Sequence, residues 1–401
     1  MSKIPTLRFK EFNGDWKENK FENIFNFSTG KNIKQNEASP EFEIPCVRYG
    51  ELYHMYNEII SNVINSTNLD KSELVFSQGN EILLPSAGED PLDIGSASAL
   101  TIPNIAIGRT INILRPLSDN VYSQKYVSYY INQKLRRTIS TLAKGSSISN
   151  VYNSDLKKLN IFLPSLIEQE KIASFLNQVD TKIEQLTKKE KLLQQYKKGV
   201  MQKIFNQEIR FVSDDGSEFC EWEEKNGNEI FETISNKNHN SDLPILAISQ
   251  EFGAIPRDMI DYKITVTEKS VSSYKVVSIG DFIISLRSFQ GGIEYSSYKG
   301  ICSPAYIILR PFIEINNDFF RLYFKMDRYI QQLNSKLEGI RDGKMISYKY
   351  FSEIKLPFPC IEEQTKIANF LSSIDTKIEQ TQKQLEKTKE FKKALLQQMF
   401  V

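Results

Sequence analysis

Two stretches decide the reading of this chain: PSLIEQEKIASFLNQVDTKIEQ, from Pro164 to Gln185, and PCIEEQTKIANFLSSIDTKIEQ, from Pro359 to Gln380. The second repeats the first at a shift of 195 residues without a gap, and the correspondence extends over 164–205 and 359–400. Solenoid repeats recur every ~20–50 residues, so a period this long describes something else. The chain is a duplicated two-part module: globular block, long helix, globular block, long helix.

Within each repeat the apolar residues alternate at spacings of four and three. The first seam runs Ile172, Leu176, Val179, Ile183, Leu186, Leu193, Val200 and Ile204, interrupted by Glu190 and Lys197. The second runs Ile367, Leu371, Ile374, Ile378, Leu385, Leu395 and Met399, with Thr381, Thr388 and Lys392 as its weak places. This is heptad spacing, and the segments are rich in Lys, Glu and Gln, with Gly199 as the one helix breaker inside them. Pro164 and Pro359 end the strands that precede the helices. A lone apolar stripe would lie in water, so each seam needs a partner, and the other copy is the economical one. An antiparallel pairing predicts an α+β protein in which two heads sit at the ends of a coiled coil of ~40 residues, roughly 60 Å at ~1.5 Å per residue. The expected segments are a first head at 1–158, a central helix at 159–206, a second head at 207–352 and a C-terminal helix at 353–401.

The heads echo each other faintly. Leu7-Arg8-Phe9 leading to Trp16 matches Ile209-Arg210-Phe211 leading to Trp222, and these are the chain's two tryptophans. Their matched placement predicts a structural anchor. Gly79-Asn80-Glu81-Ile82 parallels Gly280-Asp281-Phe282-Ile283, a turn feeding a buried strand. The run INILRP (Ile111–Pro116) parallels IILRP (Ile307–Pro311) as another strand. Helical stretches are expected at about 122–142 and 317–337, each followed by a polar glycine-containing loop and a last strand.

With 401 residues and 40% hydrophobic content, the chain can bury two cores. No signal peptide or membrane-length apolar run stands out, which predicts a cytoplasmic protein without a membrane partner. Cys46, Cys220, Cys302 and Cys360 are scattered, with only His54 and His239 to complete a metal site, so reduced thiols are expected and no metal. The net charge of +1 argues against a free-standing binder held by phosphate contacts alone. Basic residues nevertheless gather at the end of each head, in 121–158 and 321–349. Solvated helix faces and a nucleic-acid surface are both compatible with that excess.

No catalytic constellation emerges. Gly339–Lys344 lacks the spacing of a phosphate-binding loop, and neither the glycine-rich loop nor the Asn/Asp-Pro-Pro-aromatic motif of an adenine methyltransferase is present. The carboxylates Glu89, Asp90 and Asp93 fit a solvated loop better than a metal site. The chain is read as non-enzymatic, with no catalytic residues and no cofactor of its own.

The doubled module of Leu7-Arg8-Phe9, Trp16 and Glu168-Gln169…Lys171-Ile172-Ala173…Asp180…Lys182-Ile183 resembles the specificity subunit of a Type I restriction–modification system, and the resemblance covers essentially the whole chain. It implies two target-recognition domains, each reading half of an asymmetric, bipartite site in double-stranded DNA. The helices would set the unread spacer, with the heads about one duplex turn apart, ~34 Å, and would dock two modification subunits that methylate adenine. Restriction subunits with translocase and nuclease activity would join through these. S-adenosylmethionine, ATP and Mg²⁺ would belong to the partner subunits. Arg and Lys suit guanine, and Asn and Gln suit adenine. On that basis the candidate DNA contacts are Arg109, Arg136, Lys144, Ser146 and Asn150 in the first head, with Arg287, Ser288, Gln290, Arg341 and Lys344 in the second. The rival reading is a coiled-coil protein-interaction scaffold without DNA binding.

Overall fold

The computed structural model describes residues 4–118, 120–145, 147–240, 242–260, 271–335 and 346–401. The expected helices are continuous, Leu166–Phe205 (40 residues) and Ile361–Gln398 (38 residues). Just before them, Asn160–Leu163 and Lys355–Phe358 are strands, so the opening residues of the expected helical segments belong to the heads. Each strand closes its head by pairing antiparallel with an early one, Lys17–Lys20 or Glu223–Asn226.

The chain forms two compact units, 1–188 with 382–401, and 189–381. Each takes one head and a part of both long helices. In the first unit a five-stranded sheet runs in the order Phe25–Thr29, Ile111–Pro116, Glu81–Pro85, Ser98–Leu100, Ile59–Ile60. A second, four-stranded sheet orders Asn65–Thr67, Ile44–Val47, Pro103–Ile107 and Phe76–Gln78. In the second unit the corresponding sheet is Phe231–Ile234, Ile307–Pro311, Phe282–Ile284, Glu294–Tyr295. The matched runs at 111–116 and 307–311 lie inside these sheets, flanked by strands on both sides. Ile111, Asn112, Ile113 and Leu114 are all buried, as are Ile308 and Leu309, so these strands are covered on both faces, and the buried Asn112 donates to the Val151 carbonyl. The expected helical stretches are Gln124–Thr141, with a widened turn at Ile131–Leu135, and the pair Asn317–Tyr323 and Asp327–Asn334.

Several residues of the duplicated phrase make corresponding contacts in the two copies. Glu168 and Glu363 are buried carboxylates that take the guanidinium of Arg8 (2.7 Å) and Arg210 (3.0 Å). The next residues, Gln169 and Gln364, donate to the carbonyls of Pro164 and Pro359 and accept the backbone N–H of Ser123 and Asn316. Lys171 and Lys366 lie over Phe9 and Phe219 and pair with Glu11 and Asp214. Phe175 and Phe370 meet Phe9 and Phe211 edge to face. Trp16 and Trp222 pack on the head helix through Tyr126 and Phe319, the anchor their placement predicted. Deeper in the heads, Glu81 takes Arg115 at 3.0 Å and Asp281 takes Arg310 at 2.7 Å.

Inside each unit the helix segments run antiparallel. In the first, residue 398 lies beside Leu7 and Glu168 beside Arg8, while Lys392 reaches Asp180 at 2.7 Å. In the second, Glu363 holds Arg210 and Lys197 reaches Asp375 at 2.5 Å. Lys197 and Lys392, which interrupt the heptads, are thus the equivalent halves of two matched ion pairs. Ile172, Leu176, Val179 and Leu395 are buried in the first unit's core, with Ile183 half-buried at its edge. Ile367, Leu371, Ile374 and Ile378 are buried in the second's, with Leu193 half-buried. Leu186 and Leu385 are buried as well.

Candidate nucleic-acid interface

In the first head a rim forms where three loops meet. Asn32, Ile33 and Thr110 have φ of 50°, 55° and 67°, a left-handed backbone that is unfavourable for side chains and worst for the β-branched Ile33 and Thr110. The surroundings hold them there: Asn32 donates to the carbonyl of Glu73 at 2.8 Å, and the Arg109 N–H donates to the carbonyl of Asn32 at 2.9 Å. Beside this strained corner opens a depression of about 400 Å³ lined by Lys34, Gln35, Arg48, Tyr49, His54 and Arg109 among others. Arg48 is partly engaged, pairing with the buried Glu51 at 2.8 Å. Arg109 is exposed.

The rim continues into the polar loop. Ser86 N–H donates to the Thr110 carbonyl, the Val151 N–H donates to Ser86, and Ala87-Gly88 pairs with Ser149-Asn150. Lys144 and Asn150 exchange backbone hydrogen bonds. The structure therefore brings Arg109, Lys144 and Asn150 to one edge. The Lys144 ammonium lies 3.1 Å from Asp155 and remains largely exposed. Ser146 lies outside the described residues.

Arg136 is elsewhere. Its guanidinium donates to the Leu92 carbonyl at 2.9 Å and pairs with Asp93, tying the helix that starts at Arg136 to the short helix Pro91–Ile94. Its position in a basic run gave no sign of that internal task. Asp90 caps the same short helix through the Leu92 N–H.

In the second head the turn after the strand Phe282–Ile284 occupies the place that Ser86–Gly88 holds in the first. Arg287 and Gln290 are exposed on it. Ser288 is not: it is 1% exposed, and its hydroxyl accepts the Ser285 N–H at 2.9 Å, shaping the turn instead of facing a ligand. Gln250 donates to the Arg287 carbonyl at 3.3 Å and brings up the hairpin Leu246–Pro256, whose tip carries Phe252, 58% exposed. Behind it lies a cavity of about 630 Å³ that includes Arg321, Lys325 and Glu294. Burial pushes the Glu294 carboxyl up, and Lys325 at 2.5 Å partly counters it. Arg341 and Lys344 lie outside the described residues.

Sequence reasoning missed Lys34, Gln35, Arg48, Tyr49 and His54 in the first head and Gln250 and Phe252 in the second. They are isolated polar and aromatic residues that only the fold gathers. Among the described residues no group of three or more His, Cys, Asp or Glu is placed to hold a metal ion.

The profile of the Type I restriction modification DNA specificity domain matches this chain twice, over residues 13–194 and 217–389. The chain belongs to that family. The putative Type I restriction enzyme MjaX specificity subunit of Methanocaldococcus jannaschii is 29% identical over 309 residues, 72% of this chain and 70% of that one. The MjaVIII specificity subunit of the same organism is 27% identical over 368 residues, 86% and 82% of the two chains. The crystal structure of the Type I restriction-modification system S subunit from M. genitalium shares the fold, with a TM-score of 0.61, 18% identity and 99% coverage of both chains. As a member of this specificity family the chain recognises DNA sequence within a Type I restriction–modification complex and is itself non-catalytic, the catalysis lying in other subunits. A scaffold without DNA binding is not favoured. Among the described residues no helix is long and apolar enough to cross a membrane.

Proposed function

We propose that the rim of each head reads one half of a split duplex site, through Arg109, Lys144 and Asn150 in the first and through Arg287 and Gln290 in the second. The observation that carries this is the contrast between sameness and difference. Residues that tie heads to helices are matched position by position, whereas the loops in equivalent places differ: Ser86-Ala87-Gly88-Glu89-Asp90 against Arg287-Ser288-Phe289-Gln290-Gly291. One frame with two unlike surfaces suits an asymmetric target. Exposed forked donors on such loops match what base edges in the major groove require.

The long helices set the unread spacer and dock two modification subunits, to which restriction subunits attach, in the cytoplasm. These partners supply S-adenosylmethionine, ATP and Mg²⁺ chemistry, and much of the phosphate grip, which a chain of net charge +1 does not supply alone. Methylation of a duplex adenine requires the base to leave the stack for a catalytic pocket, so this chain contributes recognition.

The test is binding of duplexes that vary in one half-site, by the chain assembled with its modification partner. Arg109→Ala is expected to relax discrimination in one half only and Arg287→Ala in the other, each by about 1–3 kcal/mol. Equal loss on both halves, or none, would contradict the assignment.

A further inference from the structure

Cys220 and Cys360 are far apart in sequence and adjacent in the fold. The antiparallel ladder at the base of the second head places Glu223 opposite Phe358. Continued one step past its last pairs, that register carries Cys360 to the level of Glu221, the residue next to Cys220. The Arg210 guanidinium fixes the same junction, one nitrogen bonding both the Cys220 carbonyl (2.7 Å) and the Glu363 carboxylate (3.0 Å), one helical turn from Cys360. The Cys220 thiol is near enough to help raise the Cys360 thiol. Cys220 is exposed and Cys360 half-buried, whereas Cys46 and Cys302 are buried.

We propose that Cys220 and Cys360 form a reversible oxidation site, which a peroxide-class oxidant converts to a disulfide joining the incoming strand of the second head to the start of the C-terminal helix. The exposed Cys220 thiolate attacks a peroxide oxygen, giving a sulfenic acid and releasing hydroxide. The Cys360 sulfur then attacks the Cys220 sulfur, forming the S–S bond and expelling the sulfenic oxygen, which leaves as water with the Cys360 proton. Two thiols are oxidised by two electrons and one peroxide is reduced. Burial holds the Cys360 thiol up, only partly countered by the Glu363 N–H at the helix start, which suits it to resolve the sulfenic acid and not to meet the oxidant first. In a reducing compartment such a pair is transient and reports oxidation. The first copy carries no equivalent. Its helix-start residue is Ser165, whose hydroxyl accepts the Glu168 N–H, and Gly14 precedes Trp16 as Cys220 precedes Trp222. The response is confined to one head.

The experiment treats the reduced full-length protein with hydrogen peroxide, digests it without reduction and maps the peptides by mass spectrometry. The expected product is a Cys220–Cys360 linked peptide pair, lost on reduction and absent from Cys220→Ser and Cys360→Ser, with Cys46 and Cys302 remaining as thiols. Serine fills the helix-start place in the first copy, so Cys360→Ser is expected to melt like the reduced wild type. If that variant fails to fold, the wild-type map alone decides. Sulfinic or sulfonic acid at Cys220 with Cys360 still a thiol, dimers linked through Cys220, or no oxidation at all would overturn the proposal.

Discussion

Glu363 carries more than its place in a helix suggests. Its buried carboxylate accepts from Arg210 and from the Trp222 indole at 2.9 Å, so Glu363→Ala leaves a guanidinium and an indole N–H without their acceptor. Breaking a buried pair from one side costs about 3–5 kcal/mol, and urea titration of the variant is expected to show a loss of that size. Lys392 makes a different point. Burial lowers the pKa of its ammonium, but Glu58 and Asp180 more than offset burial, and the value lies above normal. A base raised on folding stabilises fully below its unfolded pKa of about 10.4 and loses that contribution as pH climbs through the folded value. Thermal melts above about pH 10.4 are therefore expected to fall more steeply for the wild type than for Lys392→Met, and parallel curves would contradict the ion pair. None of this was legible in sequence. Arg210 and Glu363 lie 153 residues apart, and Lys392 reads only as a flaw in a heptad. Arg136 and Ser288 show the converse: a side chain's capacity to bind a base says nothing about which way the fold turns it.

The helices are where sequence reasoning reached furthest, because heptad spacing is a direct statement about which face is covered. Leu176 and Leu371 are fully buried and equivalent, so truncation of either to Ala is expected to cost about 2–5 kcal/mol, measured by denaturant unfolding. Ile183, half-buried at the edge of its core, is expected to cost less than Leu176, although both sit on the same seam. Equal losses would mean that the seam is covered evenly along its length. The rims resist the same reasoning. Lys34, Arg48, Arg109, Lys144 and Asn150 come together only because Ile111–Pro116 and Glu81–Pro85 carry their loops to one edge. Loop residues follow no period, and without a period a sequence gives no neighbour.

At the scale of the whole molecule the duplication has a consequence for a half-length chain. The first head's core contains Leu395, Met399 and Phe400 from the far end of the sequence. Shifted by 195 residues these become Val200, Ile204 and Phe205, which line the second head's core. A chain ended near Asn206 keeps the substitutes but loses the originals, so two copies can each complete the other. Such a truncation is expected to be a homodimer in sedimentation and to direct recognition of a palindromic site, and an inert monomer would count against the interchangeability of the copies. The central claim, that this chain gives a partner its DNA sequence, is tested most directly by methylome sequencing of a host carrying the modification subunit with and without it. The expected result is new adenine methylation at a single split motif, a few specified bases on either side of a fixed gap. No new motif, with the same modification subunit active alongside another specificity chain, would contradict the account.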